Sequence, residues 1–193
     1  MSHFIYRTEA IILGEMPSGE DNKIYFLLTE DLGFIMAQAT GVRHLKSKLR
    51  FHLSLFSKIG VELVRGKNIW RIINVYPREK EIFFKTKYVN IFARLAQLIR
   101  RMVHGEVQNK KLFDDVLQTR MFLAENILSN KEETSVELIS VARILNSLGY
   151  FIAEGKYQSI LYGHIEKGIL RRALLLRNDL VNDINLALKE SHL

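Results

Sequence analysis

The chain has 193 residues, 48% hydrophobic and 25% charged, with a mean hydropathy of zero. These values exclude a disordered tail, a fibre and a large two-lobed enzyme, and leave one globular domain or two small ones. Lys and Arg number 28 against 21 Asp and Glu, a net +7, with no cysteine. Disulfides, thiolate nucleophiles, zinc ribbons and iron–sulfur clusters are thereby excluded, while a polyanionic partner in the cytoplasm is favoured.

The opening Met1-Ser2-His3-Phe4-Ile5-Tyr6-Arg7 lacks the basic-then-apolar pattern of a secretory signal, and charged or amide residues interrupt every hydrophobic stretch, so no membrane span is expected. Up to about residue 80 the apolar residues recur with period two, the mark of strands. Five strands are predicted: Phe4 to Leu13, Asn22 to Thr29, Gly33 to Thr40, Leu53 to Val64 and Asn68 to Tyr76. In the fourth, Leu53, Leu55, Ile59, Val61 and Leu63 share one face. Arg65-Gly66-Lys67-Asn68 then supplies a turn, which makes strands four and five a hairpin.

After Pro77 the period changes. Ile91, Leu95, Leu98 and Met102 recur at helical spacing, broadened by Phe92, Ala96 and Ile99. Phe113, Leu117, Met121, Ala124 and Leu128 mark a second helix, and Thr134 with Glu137 has capping-box spacing for a third that runs to about Leu148. Residues 158–190 read as two more. The break near Pro77 to Glu81 divides a strand-rich segment, 1–80, from a helical segment, 81–193. Five short strands suit a small barrel and the remainder suits a helical bundle, an α+β organisation.

No catalytic motif survives inspection. Gly60 to Lys67 and Gly149 to Lys156 approach a phosphate-binding loop, but each has one residue too many between its glycines, and Lys is followed by Asn68 or Tyr157 in place of Ser or Thr. The histidines at 3, 44, 52, 104, 164 and 192 include no pair at metal-ligand spacing. Asp114-Asp115 and Glu132-Glu133 are neighbours whose side chains point about 100° apart on a helix, so neither pair converges on one atom. The chain is expected not to be an enzyme, with no metal and no cofactor.

Charge placement is informative. Residues 42–71 hold eight basic residues, Arg43, Lys46, Lys48, Arg50, Lys58, Arg65, Lys67 and Arg71, against Glu62 alone, a net +7. The other 163 residues balance, and residues 1–41 carry six acidic side chains against two basic ones. A positive field concentrated on one loop and one hairpin suits phosphates and points to nucleic acid. Phe51, Phe56, Trp70 and Tyr76 interleave with these charges as candidate faces for unstacked bases. Trp70 lies outward if Ile69, Ile73 and Val75 face the core, and is buried in the opposite register. The candidate nucleic-acid site is Arg43, Lys46, Lys48, Arg50, Arg65, Lys67, Trp70 and Arg71.

Several segments resemble the bacterial recombination mediator family RecO. They are Thr8-Glu9-Ala10-Ile11-Ile12-Leu13, Gly19-Glu20-Asp21-Asn22-Lys23, Thr29-Glu30-Asp31-Leu32-Gly33, and Ala39-Thr40-Gly41-Val42-Arg43 continuing to Lys46-Ser47-Lys48-Leu49. Glu62-Leu63-Val64-Arg65-Gly66-Lys67 and Leu148-Gly149-Tyr150 extend the match, which covers residues 4–76 well, 82–150 loosely, and fades beyond. The resemblance implies an N-terminal five-stranded OB-fold barrel followed by an all-helical C-terminal domain. It also implies a DNA-repair function without catalysis: binding single- and double-stranded DNA, annealing complementary strands, and helping RecA replace single-stranded DNA-binding protein (SSB), with RecR as helper. The family's basic barrel surface carries over to Arg43, Lys46, Lys48 and Arg50, and its pocket for the acidic C-terminal tail of SSB points to Arg100 and Arg101. Two departures stand out. The four zinc-holding cysteines that many relatives carry after the Leu-Gly-Tyr motif are missing, and the chain is shorter than usual, with Leu55 where a proline is common.

Two other readings compete with DNA binding. One keeps the fold as a protein-interaction adaptor whose basic stretch meets an acidic tail; the other is an RNA-binding OB-fold protein, separated from a DNA binder only by contacts to the 2′-hydroxyl.

Overall fold

A computed structural model describes residues 4–44, 46–77, 86–152 and 155–191. The predicted boundary at residue 80 lies outside the described residues, as do His3 and His192. Five strands form a closed barrel in the order β1-β2-β3-β5-β4: β1 (Ile5–Ser18), β2 (Asn22–Thr29), β3 (Gly33–Ala39), β4 (Lys58–Arg65) and β5 (Trp70–Pro77). Every pairing is antiparallel except β3 with β5, which run parallel at Ala37↔Trp70 and Gln38↔Arg71. Six helices follow among the described residues. The α+β expectation, a five-stranded barrel ahead of helices, is the observed architecture.

Alternation puts Ala10, Ile12, Tyr25, Leu27, Ile35 and Ala37 inside the barrel, with Val61, Leu63, Trp70 and Ile72 from the last hairpin. Strand ends depart from the predictions where the backbone breaks period. β1 runs on to Ser18 because a register shift between Ile12 and Gly14 bends it from β4 onto β2. β4 starts at Lys58 and not at Leu53, because Ser57 turns back onto the Ser54 carbonyl (3.3 Å) and Phe56 sits at φ +66°, outside the extended region. Leu55 is therefore half exposed, and Leu53 alone of that pair reaches the core.

His104–Lys110 group with the barrel in one compact unit. The Gln108 amide donates to the Glu30 carbonyl (3.2 Å), Lys110 pairs with the Glu30 carboxylate (2.6 Å), and Val107 lies against Gly33. Gly33 has φ +72°, and a Cβ there would collide with the Val107 carbonyl, so both conformation and space require glycine. This strap runs beside the part of β3 that β5 does not pair.

The second unit holds α1 (Thr86–Met102), α2 (Lys110–Glu125, from Lys111 onward), α3 (Asn130–Ser147), α4 (Gln158–Tyr162), α5 (Lys167–Leu175) and α6 (Arg177–Glu190). α1 buries Ile91, Phe92, Leu95, Ala96, Ile99 and Met102, nearly the predicted stripe. α2 is rotated from prediction: Met121 is exposed and Leu128 lies beyond the helix, while the buried face carries Thr119 and Arg120 between Val116 and Leu123. Those polar residues masked the apolar period.

The capping box falls at Ser129 and Glu132, five residues before the predicted Thr134 and Glu137. Glu137 instead pairs with Arg94 (2.5 Å). Hydrogen bonds from Ser129 to the Glu132 carboxylate hold it below the usual carboxylate range. α3 stops at the Leu148-Gly149-Tyr150 motif, where Gly149 takes φ +84° and Tyr150 N–H returns to the Leu145 carbonyl (2.9 Å). Residues 158–190 hold three helices and not two. Among the described residues no helix is long and apolar enough to cross a membrane.

Candidate nucleic-acid interface

Between β3 and β4 the chain takes a long excursion over residues 40–57, containing one 3-10 turn at Leu49–Phe51. Its first end is pinned to the β1–β2 turn. The Gly41 N–H donates to Asn22 Oδ1 (2.9 Å), and Arg43 donates its backbone N–H to the Asp21 carbonyl (3.0 Å) and Nη1 to the Gly19 carbonyl (3.3 Å). His44 faces Asp21 at 3.4 Å. The far end is fixed where Phe56 N–H donates to the Ile12 carbonyl (2.9 Å) and Ile12 N–H to the Ser57 carbonyl (3.1 Å). The Gly-Glu-Asp-Asn and Thr-Gly-Val-Arg segments thus meet: one is the turn, the other the strand exit bonded to it.

On this anchored loop Arg43, Lys46, Lys48 and Arg50 are all exposed. Lys46, Lys48 and Arg50 have no acidic partner among the described residues. Arg43 and Lys46 share one shallow surface groove; Arg43 and Arg50 share another, lined also by Lys23, Glu15 and Tyr25. Arg71, the second residue of β5, lies opposite Gln38, whose amide reaches Ser18 (3.3 Å), next to the Gly19 that Arg43 holds. Arg71 is exposed and belongs to this end of the barrel.

The hairpin cations are placed differently. Arg65 is the cross-strand partner of Trp70, so the two share one face of the ladder, Trp70 buried and Arg65 exposed at its rim, while Val64 and Arg71 share the other. The Arg65 guanidinium lies 5.1 Å from the Trp70 ring centroid and pairs with Glu106 (2.7 Å). Lys58 is likewise held by Glu9 (2.9 Å). Lys67 stands exposed at the hairpin turn. The predicted basic strip is thus divided into a loop group joined by Arg71 and a hairpin pair, Arg65 and Lys67.

Trp70 requires a correction as a stacking residue. Its ring is only 3% exposed, packs edge-on against Tyr6 at 5.0 Å, and donates Nε1–H to Glu106 (2.9 Å). A register shift between Glu62 and Leu63 is the cause: Trp70 and Ile72 face inward, the bulge turns Ile73 out, and Val75 faces inward again. Of the other aromatics, Tyr76 lies across Gly60 and Phe56 is half-buried, whereas Phe51 is 68% exposed beside Arg50. Phe51 is the open aromatic face, and its place in a turn between basic residues is the signal in the sequence. Glu106 had no such signal, standing 36 residues from Trp70.

Tyr25 is buried, and burial together with Glu15 beside it pushes its hydroxyl well above the usual tyrosine range, so it stays a donor. Lys23 pairs with the same Glu15 carboxylate (2.5 Å). In the helical unit, Arg100 and Arg101 are exposed in the last turn of α1, where cations favour the helix dipole. Their apolar neighbours Ile99 and Met102 are buried. No group of three metal-ligating side chains occurs among the described residues.

Residues 1–78 match the family model described as Recombination protein O N terminal. A DNA repair protein RecO from Roseiflexus sp. (strain RS-1) is 31% identical over 148 residues, 76% of this chain and 50% of that protein. Another from Dehalococcoides mccartyi is 48% identical over 64 residues, 33% of this chain and 25% of that protein. The chain thus spans about half or less of the length of the curated relatives it matches. The resemblance read from the sequence motifs is borne out.

Proposed function

We propose, from the match of residues 1–78 to the Recombination protein O N terminal model, that this chain serves DNA repair and homologous recombination in the cytoplasm without making or breaking a bond. It binds single- and double-stranded DNA through Arg43, Lys46, Lys48 and Arg50 with Arg71 alongside, anneals complementary strands, and assists loading of RecA onto strands coated by SSB. RecR and the acidic tail of SSB are its protein partners, with Arg100 and Arg101 as contacts for the tail.

The observation that carries this reading is four exposed cations within eight residues of a loop bonded at both ends to the barrel. Each phosphate they neutralise releases counterions, and two strands coated in this way lose their mutual repulsion and can pair. Phe51 at the end of the loop offers a face worth about 1–3 kcal/mol to a stacked base.

Fluorescence anisotropy with a labelled oligonucleotide over a salt series tests the binding. Four phosphate contacts imply a log–log salt slope of about −3 to −4, and a flat response would remove the interface. A strand-annealing assay with and without RecR tests the mediator role: annealing accelerates in the expected outcome, and no acceleration in either arm refutes it.

A further inference from the structure

We propose that the groove between the 41–57 loop and the β1–β2 ribbon is a subsite for one unpaired nucleotide, which makes the protein hold single strands more tightly than duplex of equal length. The inference rests on the DNA-binding reading above and assigns a place for the base that the basic loop alone does not supply.

The groove has the parts a nucleotide needs. Arg43 and Arg50 stand at its rim as phosphate ligands, and Val42, Leu53 and Leu55 give it an apolar wall for the flat of a base. Leu55 is 48% exposed, a large apolar side chain left open at the edge of that wall. Opposite lie Glu15 and Lys23, paired at 2.5 Å, so an acceptor and a donor sit side by side. The Watson–Crick edge of each of the four bases carries a donor next to an acceptor, so this pair can bond any of them, consistent with binding that ignores sequence.

Two features favour an unpaired occupant. In duplex DNA those edge atoms are engaged by the partner strand and the base faces are stacked, so neither the apolar wall nor the Glu15–Lys23 pair is reachable without unpairing. The groove is also preformed. Its loop wall is tied down through Arg43 to Gly19 and Asp21 and through Phe56 to Ile12, and its floor is the β1–β2 ladder at Glu15↔Tyr25 and Pro17↔Lys23. Little ordering is needed on binding.

The test compares a labelled oligo-dT of about 15 nucleotides with a labelled duplex of the same length at one salt concentration, a length within the site size of one OB barrel. The wild-type chain is expected to bind the single strand about tenfold more tightly, the contribution of one stacked base. Leu55→Asp sets a carboxylate on the apolar wall where the face of the base would lie, and should reduce that preference to about one. Leu55→Gln, a smaller change, should reduce the preference part of the way, with circular dichroism confirming the fold of both variants. Equal binding of the two probes by the wild type, or an undiminished preference in Leu55→Asp, overturns the subsite and leaves the basic interface standing. Failure of the wild type to bind either probe overturns the interface itself.

Discussion

On the 41–51 loop, Lys46, Lys48 and Arg50 project from backbone that is bonded to β1 and β2, with no carboxylate beside them among the described residues. On the β4–β5 hairpin, Arg65 lies over Trp70 and is held by Glu106 at 2.7 Å. Both regions contribute to one stretch of positive charge in the sequence, yet the three loop cations stand without a carboxylate among the described residues while Arg65 of the hairpin is paired. An unpaired cation can meet a phosphate directly, whereas a paired one must first give up its carboxylate.

The largest expected effect that sharpens this contrast is on stability at the hairpin. Trp70→Ala should lower unfolding free energy by about 3–5 kcal/mol in denaturant titration, because it empties the barrel core and strands Glu106. A loss below about 1 kcal/mol would mean the ring is dispensable inside and free for other work. Next, Gly33→Ala forces a Cβ into the left-handed region and onto the Val107 carbonyl, and should cost about 1–3 kcal/mol in the same measurement. Changed Trp70 fluorescence in that variant would report the strap, and Glu106 with it, leaving the ring.

Smaller effects belong to the loop. Lys46→Glu with Lys48→Glu should weaken DNA binding about tenfold and reduce the salt slope by about two, with the denaturation midpoint unmoved. An unchanged slope would break the contrast outright. Arg65→Ala should change DNA affinity less than about twofold, since an exposed pair already occupied by Glu106 offers little to phosphate. If Arg65→Ala weakens binding as much as the double lysine variant, the hairpin is part of the interface after all.

Much of the barrel was legible because its residues obey a two-residue period that no tertiary contact needs to enforce. β2 falls at Asn22–Thr29 as read, and β3 differs by one residue at its end. The errors gather at bulges and turns. Leu55 fits its predicted face by simple alternation, but Phe56 at φ +66° ends the period before β4; alternation leaves Trp70 open between two faces, and the shift at Glu62/Leu63 settles it as buried. In the helical unit, the first stripe was apolar and readable, while the second was hidden because Thr119 and Arg120 occupy its buried face. For the candidate interface, the four loop cations were visible from charge and motif together; Phe51 was one of four candidate aromatics until the fold showed it exposed, and the fate of Arg65 required Glu106.

The sequence by itself determined the period of each segment, the placement of the net charge and the motifs of the barrel, because these depend on neighbours a few residues apart. Only the tertiary structure decided which of those charges are open and which side of a strand a ring occupies. Pairing across 41 residues, as between Arg65 and Glu106, and a one-residue slip in a ladder are set by how distant segments meet, and local pattern carries no record of either.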